Sequence, residues 1–85
     1  MIIYDESSRK QLSSITILLT PQEADELAGA LARLTSEPGD HVHIDNEMYT
    51  KEITVAIYTS KNVEAFAKHF RKMIAEELRL NQQIE

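Results

Sequence analysis

The sequence predicts an α+β fold made of an internally repeated ββα unit, ββαββα, with a four-stranded antiparallel sheet and two helices on one face. Three observations carry this. Ser14-Ile-Thr-Ile-Leu-Leu-Thr20 lies over Glu52-Ile-Thr-Val-Ala-Ile-Tyr-Thr59 after one inserted residue. Residues Pro21 to Leu34 then lie over Ser60 to Met73, with apolar, acidic and basic positions in register. Less closely, Ile2 to Glu6 aligns with Val42 to Glu47, which adds a first strand to each copy.

The elements follow in order. Met1 to Asp5 reads as a short strand, and the serine-containing stretch Glu6 to Lys10 as a polar connection. Leu12 to Leu19 is the second strand, because Ile15, Ile17 and Leu19 alternate with Ser14, Thr16 and Leu18. Thr20-Pro-Gln-Glu23 is a helix start: threonine as N-cap, proline at the first helical position and glutamate three residues after the cap. The first helix buries Ala24, Leu27, Ala28, Leu31 and Leu34, and Pro38 and Gly39 end it. His41 to Glu47 and Lys51 to Thr59 are the third and fourth strands, joined by a turn near Glu47 to Thr50, with Ile53, Val55 and Ile57 turned inward. Thr59 stands where Thr20 stood and is the expected cap of the second helix, whose stripe is Val63, Phe66, Ala67, Phe70, Met73, Ile74 and Leu78. Residues 1–80 form a single domain of two repeats, 1–36 and 40–80, and 81–85 is a frayed tail. A rival arrangement leaves residues 1–10 as a disordered arm on a three-stranded βαββα core.

Size and charge narrow the function classes. A chain of 85 residues without cysteine lacks the disulfides and thiolate metal sites that brace small secreted domains. No stretch approaches the roughly 20 apolar residues of a membrane span, and no signal-like segment opens the chain, so the expected location is cytoplasmic. Fourteen acidic and nine basic residues leave a net charge of -5, which disfavours nucleic acid as a partner, since phosphate neutralisation needs a basic surface.

The sheet face turned away from the helices is the most informative surface. Alternation assigns to it Met1, Ile3 and Asp5, then Ser14, Thr16 and Leu18, then His41, His43 and Asp45, then Thr54, Ala56 and Tyr58. Nearly half of these are apolar. An apolar patch on a small protein marks an interaction site, so Ile3, Thr16, Leu18, Thr54, Ala56 and Tyr58 are the expected interface, with a protein partner and most simply a homodimer. Such residues also occupy solvated sheets because they suit strands.

His41, His43 and Asp45 project from that same face, about 7 Å between alternate residues. Imidazoles and a carboxylate can hold a divalent transition metal with open positions for water or substrate. A strand sets such ligands in a line, so a compact site needs another from a neighbouring strand, and Asp5, Glu47 and Glu52 are the candidates. The alternatives are a solvated row of polar residues, or a pH-sensitive interface in which paired histidines gain charge between about pH 5 and 7. Without a metal no cofactor is expected. Catalysis has little other support: Ser13 and Ser14 lack a nucleophile-elbow context and neither glycine begins a phosphate-cradling loop. His69 reads as a boundary residue on the flank of the second helix. The basic outer face of that helix, Lys61, Lys68, Arg71, Lys72 and Arg79, has no interleaved aromatic for base stacking and reads as a solvated face.

Leu19-Thr-Pro-Gln-Glu-Ala24 and His41-Val-His-Ile-Asp45 together resemble segments of small bacterial proteins associated with polymorphic-toxin immunity. The resemblance implies a protein that neutralises a cognate toxin by stoichiometric binding, with no chemistry of its own. The expectation is therefore a non-enzymatic interaction module of bacterial or phage origin, with a metal-binding protein or metal-dependent enzyme as the alternative.

Overall fold

A computed structural model describes residues 1–37 and 39–84, with side chains to residue 80. The fold is α+β and divides into two compact units, Met1–Ile17 with Thr59–Glu85, and Leu18–Tyr58. These do not follow the repeat boundaries 1–36 and 40–80. Among the described residues there are two separate two-stranded antiparallel sheets where the sequence predicts one sheet of four strands.

In the first unit, β1 (Ile3–Asp5) pairs with β2 (Lys10–Leu12) through Ile3 opposite Leu12, Tyr4 opposite Gln11 and Asp5 opposite Lys10. Side-chain chemistry at Asp5 sets this register. Its carboxylate accepts the Ser7 amide at 3.0 Å and the Ser8 hydroxyl at 2.7 Å, and its carbonyl accepts the Arg9 amide at 2.8 Å. Arg9 takes φ 58 to close the turn, a left-handed conformation that costs a residue with a Cβ. The tight turn brings Lys10 opposite Asp5, so pairing falls on residues 10–12 and not on the apolar alternation beyond. The expected second strand, Leu12 to Leu19, is corrected accordingly: Ser13 is a bend, and residues 14–20 carry neither ladder, helix, turn nor bend. The disordered-arm alternative also falls, because Ile3–Asp5 is a strand.

The second helix starts later than predicted. The Thr59 hydroxyl accepts from the Lys61 amide at 3.1 Å, while the Asn62 side chain accepts from the Thr59 amide at 2.8 Å. These bonds close a tight turn, followed by a short 3-10 helix, Val63–Ala65. Phe66 is extended, with φ -91 and ψ 156, which interrupts the helical path. Helix α2 runs Lys68–Ile84. The predicted stripe survives the interruption, with Ile74 buried, Val63, Phe66, Phe70, Met73 and Leu78 half-buried and only Ala67 exposed. Tyr4 of β1 meets Phe70 edge-on at 5.1 Å between ring centres and His69 at 5.6 Å, so His69 does sit on the flank of α2, against an aromatic neighbour. The Met1 ammonium lies 3.6 Å from Glu77, and Arg71 pairs with Glu64 at 3.4 Å. Helix α2 extends into the predicted tail 81–85 as far as Ile84; Glu85 lies outside the described residues.

In the second unit, α1 (Pro21–Ser36) begins with the predicted capping box. It ends at Glu37, whose φ -132 and ψ 73 are non-helical and whose amide bonds the Arg33 carbonyl at 2.9 Å. A residue before proline is pushed out of the helical region; Pro38, named as the stop, lies outside the described residues. The buried face is rotated from the predicted one. Ala30 and Leu34 are each 1% exposed and Leu27 is half-buried, whereas Ala24, Ala28 and Leu31 are exposed. Helix α1 packs on β3 (His41–Asp45), which pairs with β4 (Glu52–Ala56). The register puts Val42 opposite Val55 and Ile44 opposite Ile53, and all four side chains are buried or half-buried. Asn46 organises the connecting loop: its carboxamide oxygen accepts the Thr50 and Lys51 amides, each at 2.8 Å, and its nitrogen donates to the Thr50 hydroxyl at 2.9 Å. That loop shortens both predicted strands, His41 to Glu47 and Lys51 to Thr59, at their shared end.

Candidate functional site

The period of two along β3 and β4 sends His41, His43, Glu52 and Thr54 to the exposed face of the hairpin. Register then decides which of them meet. His43 stands opposite Thr54 and His41 opposite Ala56. The His43 Nδ1 lies 2.9 Å from Thr54 Oγ1 and 3.3 Å from Glu52 Oε1, and the Thr54 hydroxyl donates to Glu52 Oε1 at 3.2 Å. Since the hydroxyl proton goes to the carboxylate, the threonine oxygen accepts from Nδ1–H. An Nδ1 lone pair would face two oxygens. In that arrangement the His43 Nδ1–H donates to the Thr54 oxygen.

The His41 ring sits beside that of His43, 4.9 Å between centres at an interplanar angle of 86°. The Asp40 carboxylate accepts the His41 amide at 2.8 Å and lies 4.0 Å from its Nδ1. An open depression of about 390 Å³ extends from the two histidines past Asp40 and Val42 to Arg33, Leu34 and Glu37.

Of the predicted metal set, His41 and His43 come together and Asp45 does not join them. Asp45 is half-buried at the other end of β3, opposite Glu52. Among the described residues no three His, Asp or Glu side chains gather around one point. Of the extra carboxylates the sequence offered, Glu52 is the one that reaches an imidazole.

The predicted interface residues are spread over different environments. Ile3 is half-buried in the β1–β2 hairpin, Thr54 and Ala56 lie on β4, and Tyr58 is half-buried just after it. Thr16 and Leu18 fall in the unpaired segment, where Ile15 is 52%, Ile17 47% and Leu18 90% exposed. Among the described residues the backbone of Ser14 to Leu19 makes no hydrogen bond. Sequence reasoning missed Met48 and Tyr49, which are 76% and 82% exposed on the β3–β4 loop, Tyr49 at φ 54. Two large apolar side chains placed where a turn was predicted were the available signal.

No helix among the described residues is long and apolar enough to cross a membrane. No family model, curated protein or solved structure matches the chain.

Proposed function

We propose that this chain is a non-enzymatic protein-interaction module that binds through the segment Ser14 to Leu19. The observation that supports it is the combination, in one stretch, of exposed apolar side chains with backbone that forms no ladder among the described residues. No charged residue lies between Lys10 and Glu23, so nothing on the segment repels an approaching strand. Addition of a strand satisfies main-chain donors and acceptors while covering alternate side chains.

The partner proposed first is a second copy of the chain, because an uncharged segment is where a protein of net charge -5 meets itself with least repulsion. Strand formation by residues 14–19 in that complex is the route to the four-stranded sheet and the ββα repeat read from the sequence. Toxin neutralisation in a bacterial or phage cytoplasm, as the resemblance implies, is the biological setting proposed for such binding.

The test is sedimentation over a wide concentration range with wild type and with Ile15→Lys combined with Ile17→Lys. Concentration-dependent dimerisation that the double variant loses, with its fold retained by circular dichroism, is the expected result. A strict monomer at the highest concentration overturns the homodimer. Capture of a toxin encoded beside this gene, equal for both proteins, overturns the segment as the binding site.

A further inference from the structure

We propose that His41 and His43 form a two-imidazole chelate for a borderline-soft divalent transition metal ion, with Glu52 and Thr54 as the groups that orient it. Geometry supplies the main argument. Two imidazoles bound to one ion at about 2.0–2.1 Å hold their ring centres about 4.5 Å apart at a square-planar cis angle and about 5.2 Å apart at the tetrahedral angle. The centres here are 4.9 Å apart, inside that range.

The second argument is the tautomer. A metal-binding histidine ordinarily donates its other ring N–H to an oxygen, which fixes the ring and makes the ligating nitrogen more basic. The His43 Nδ1 already does this, at 2.9 Å from Thr54 and 3.3 Å from Glu52. Its Nε2 is left as the ligand. Both histidine side chains are accessible, 60% exposed for His41 and 45% for His43, and the adjoining depression has room for the water molecules that complete the coordination.

The assignment differs from the linear His-x-His-x-Asp reading, because the carboxylate that matters comes from the neighbouring strand and acts through His43. Glu52 is a positioning residue and Asp45 has no part. Two protein ligands make a modest site, and nitrogen donors bind copper(II) most strongly among the divalent first-row ions. The chelate is independent of the segment proposed for protein binding.

Titration of untagged protein with copper(II) alone, followed by calorimetry and by paramagnetic broadening of the imidazole proton signals, tests this. The expected result is one ion per chain, with the signals of His41 and His43 broadened first. Substitutions His41→Ala and His43→Ala each lower the affinity about tenfold or more, and Glu52→Gln lowers it about 10–100-fold at unchanged thermal stability. Asp45→Asn and His69→Ala leave it unchanged. Broadening centred on His69 or the chain's amino group, or an affinity indifferent to His41→Ala and His43→Ala, overturns the site. Equal affinity of Glu52→Gln and wild type overturns the positioning role.

Discussion

Thr20 and Glu23 cap each other: the threonine hydroxyl accepts the Glu23 amide at 3.1 Å while the glutamate carboxylate accepts the Thr20 amide at 2.9 Å. Two amides that the helix leaves without partners are satisfied by one pair of side chains. In the corresponding pair of the second copy, the Thr59 amide donates to the Asn62 side chain at 2.8 Å. Replacing Thr20 with Ala should cost about 0.5–2 kcal/mol, read from the midpoint of urea unfolding. The same change at Thr59 should leave the helical circular dichroism signal nearly unaltered, since α2 begins at Lys68.

The rotation of the buried face of α1 separates two leucines that a helical-stripe argument treats alike. Leu34 is 1% exposed and Leu31 is 42% exposed. Leu34→Ala should therefore destabilise by about 2–5 kcal/mol and Leu31→Ala by well under half of that. Paired urea titrations check the difference. Equal losses would return the face to its sequence-predicted position.

Gly29 lies inside α1, and a Cβ built there meets no atom within 4 Å. Its backbone is not in the left-handed region. Gly29→Ala should stabilise by about 0.5–1 kcal/mol, by restricting the unfolded chain at no steric cost. An upward shift of the thermal midpoint is the expected reading.

Acid should loosen the β1–β2 turn. The Ser8 hydroxyl, and after it the Ser7 amide, hold the Asp5 carboxyl below its ordinary value of 3.8. A folded-state value below the unfolded one means that these bonds stabilise the hairpin fully above the unfolded value, and that the contribution disappears as pH falls through the folded value. The amide resonance of Ser7 should titrate with a midpoint below 3.8 and should lose that transition in Asp5→Asn. A midpoint at or above 3.8 contradicts the turn geometry.

What was legible in the sequence is what depends on a few neighbouring residues. The Thr20-Pro-Gln-Glu23 box, the helix end before Pro38, the period of two that turns His41 and His43 outward and most of the α2 stripe are all local patterns. Residues two to four apart report on them because side chains reach that far and no farther. The Asp5-Glu-Ser-Ser8 turn was equally local, but it competed with the stronger apolar alternation of Ile15 to Leu19. Turn chemistry won, and the ladder falls on Lys10 to Leu12.

Everything that depends on partners distant in the chain had to come from the folded molecule. Alternation says that Ile15 and Ile17 suit a strand but cannot supply a neighbouring strand, and among the described residues no ladder includes them. It puts Asp45 on the face of His41 and His43, yet only cross-strand register brings Thr54 and Glu52 to His43 Nδ1. Which side of α1 is buried was likewise decided by packing on β3, because its alanines and leucines offer two overlapping apolar faces and a helix can lay only one of them against a hairpin.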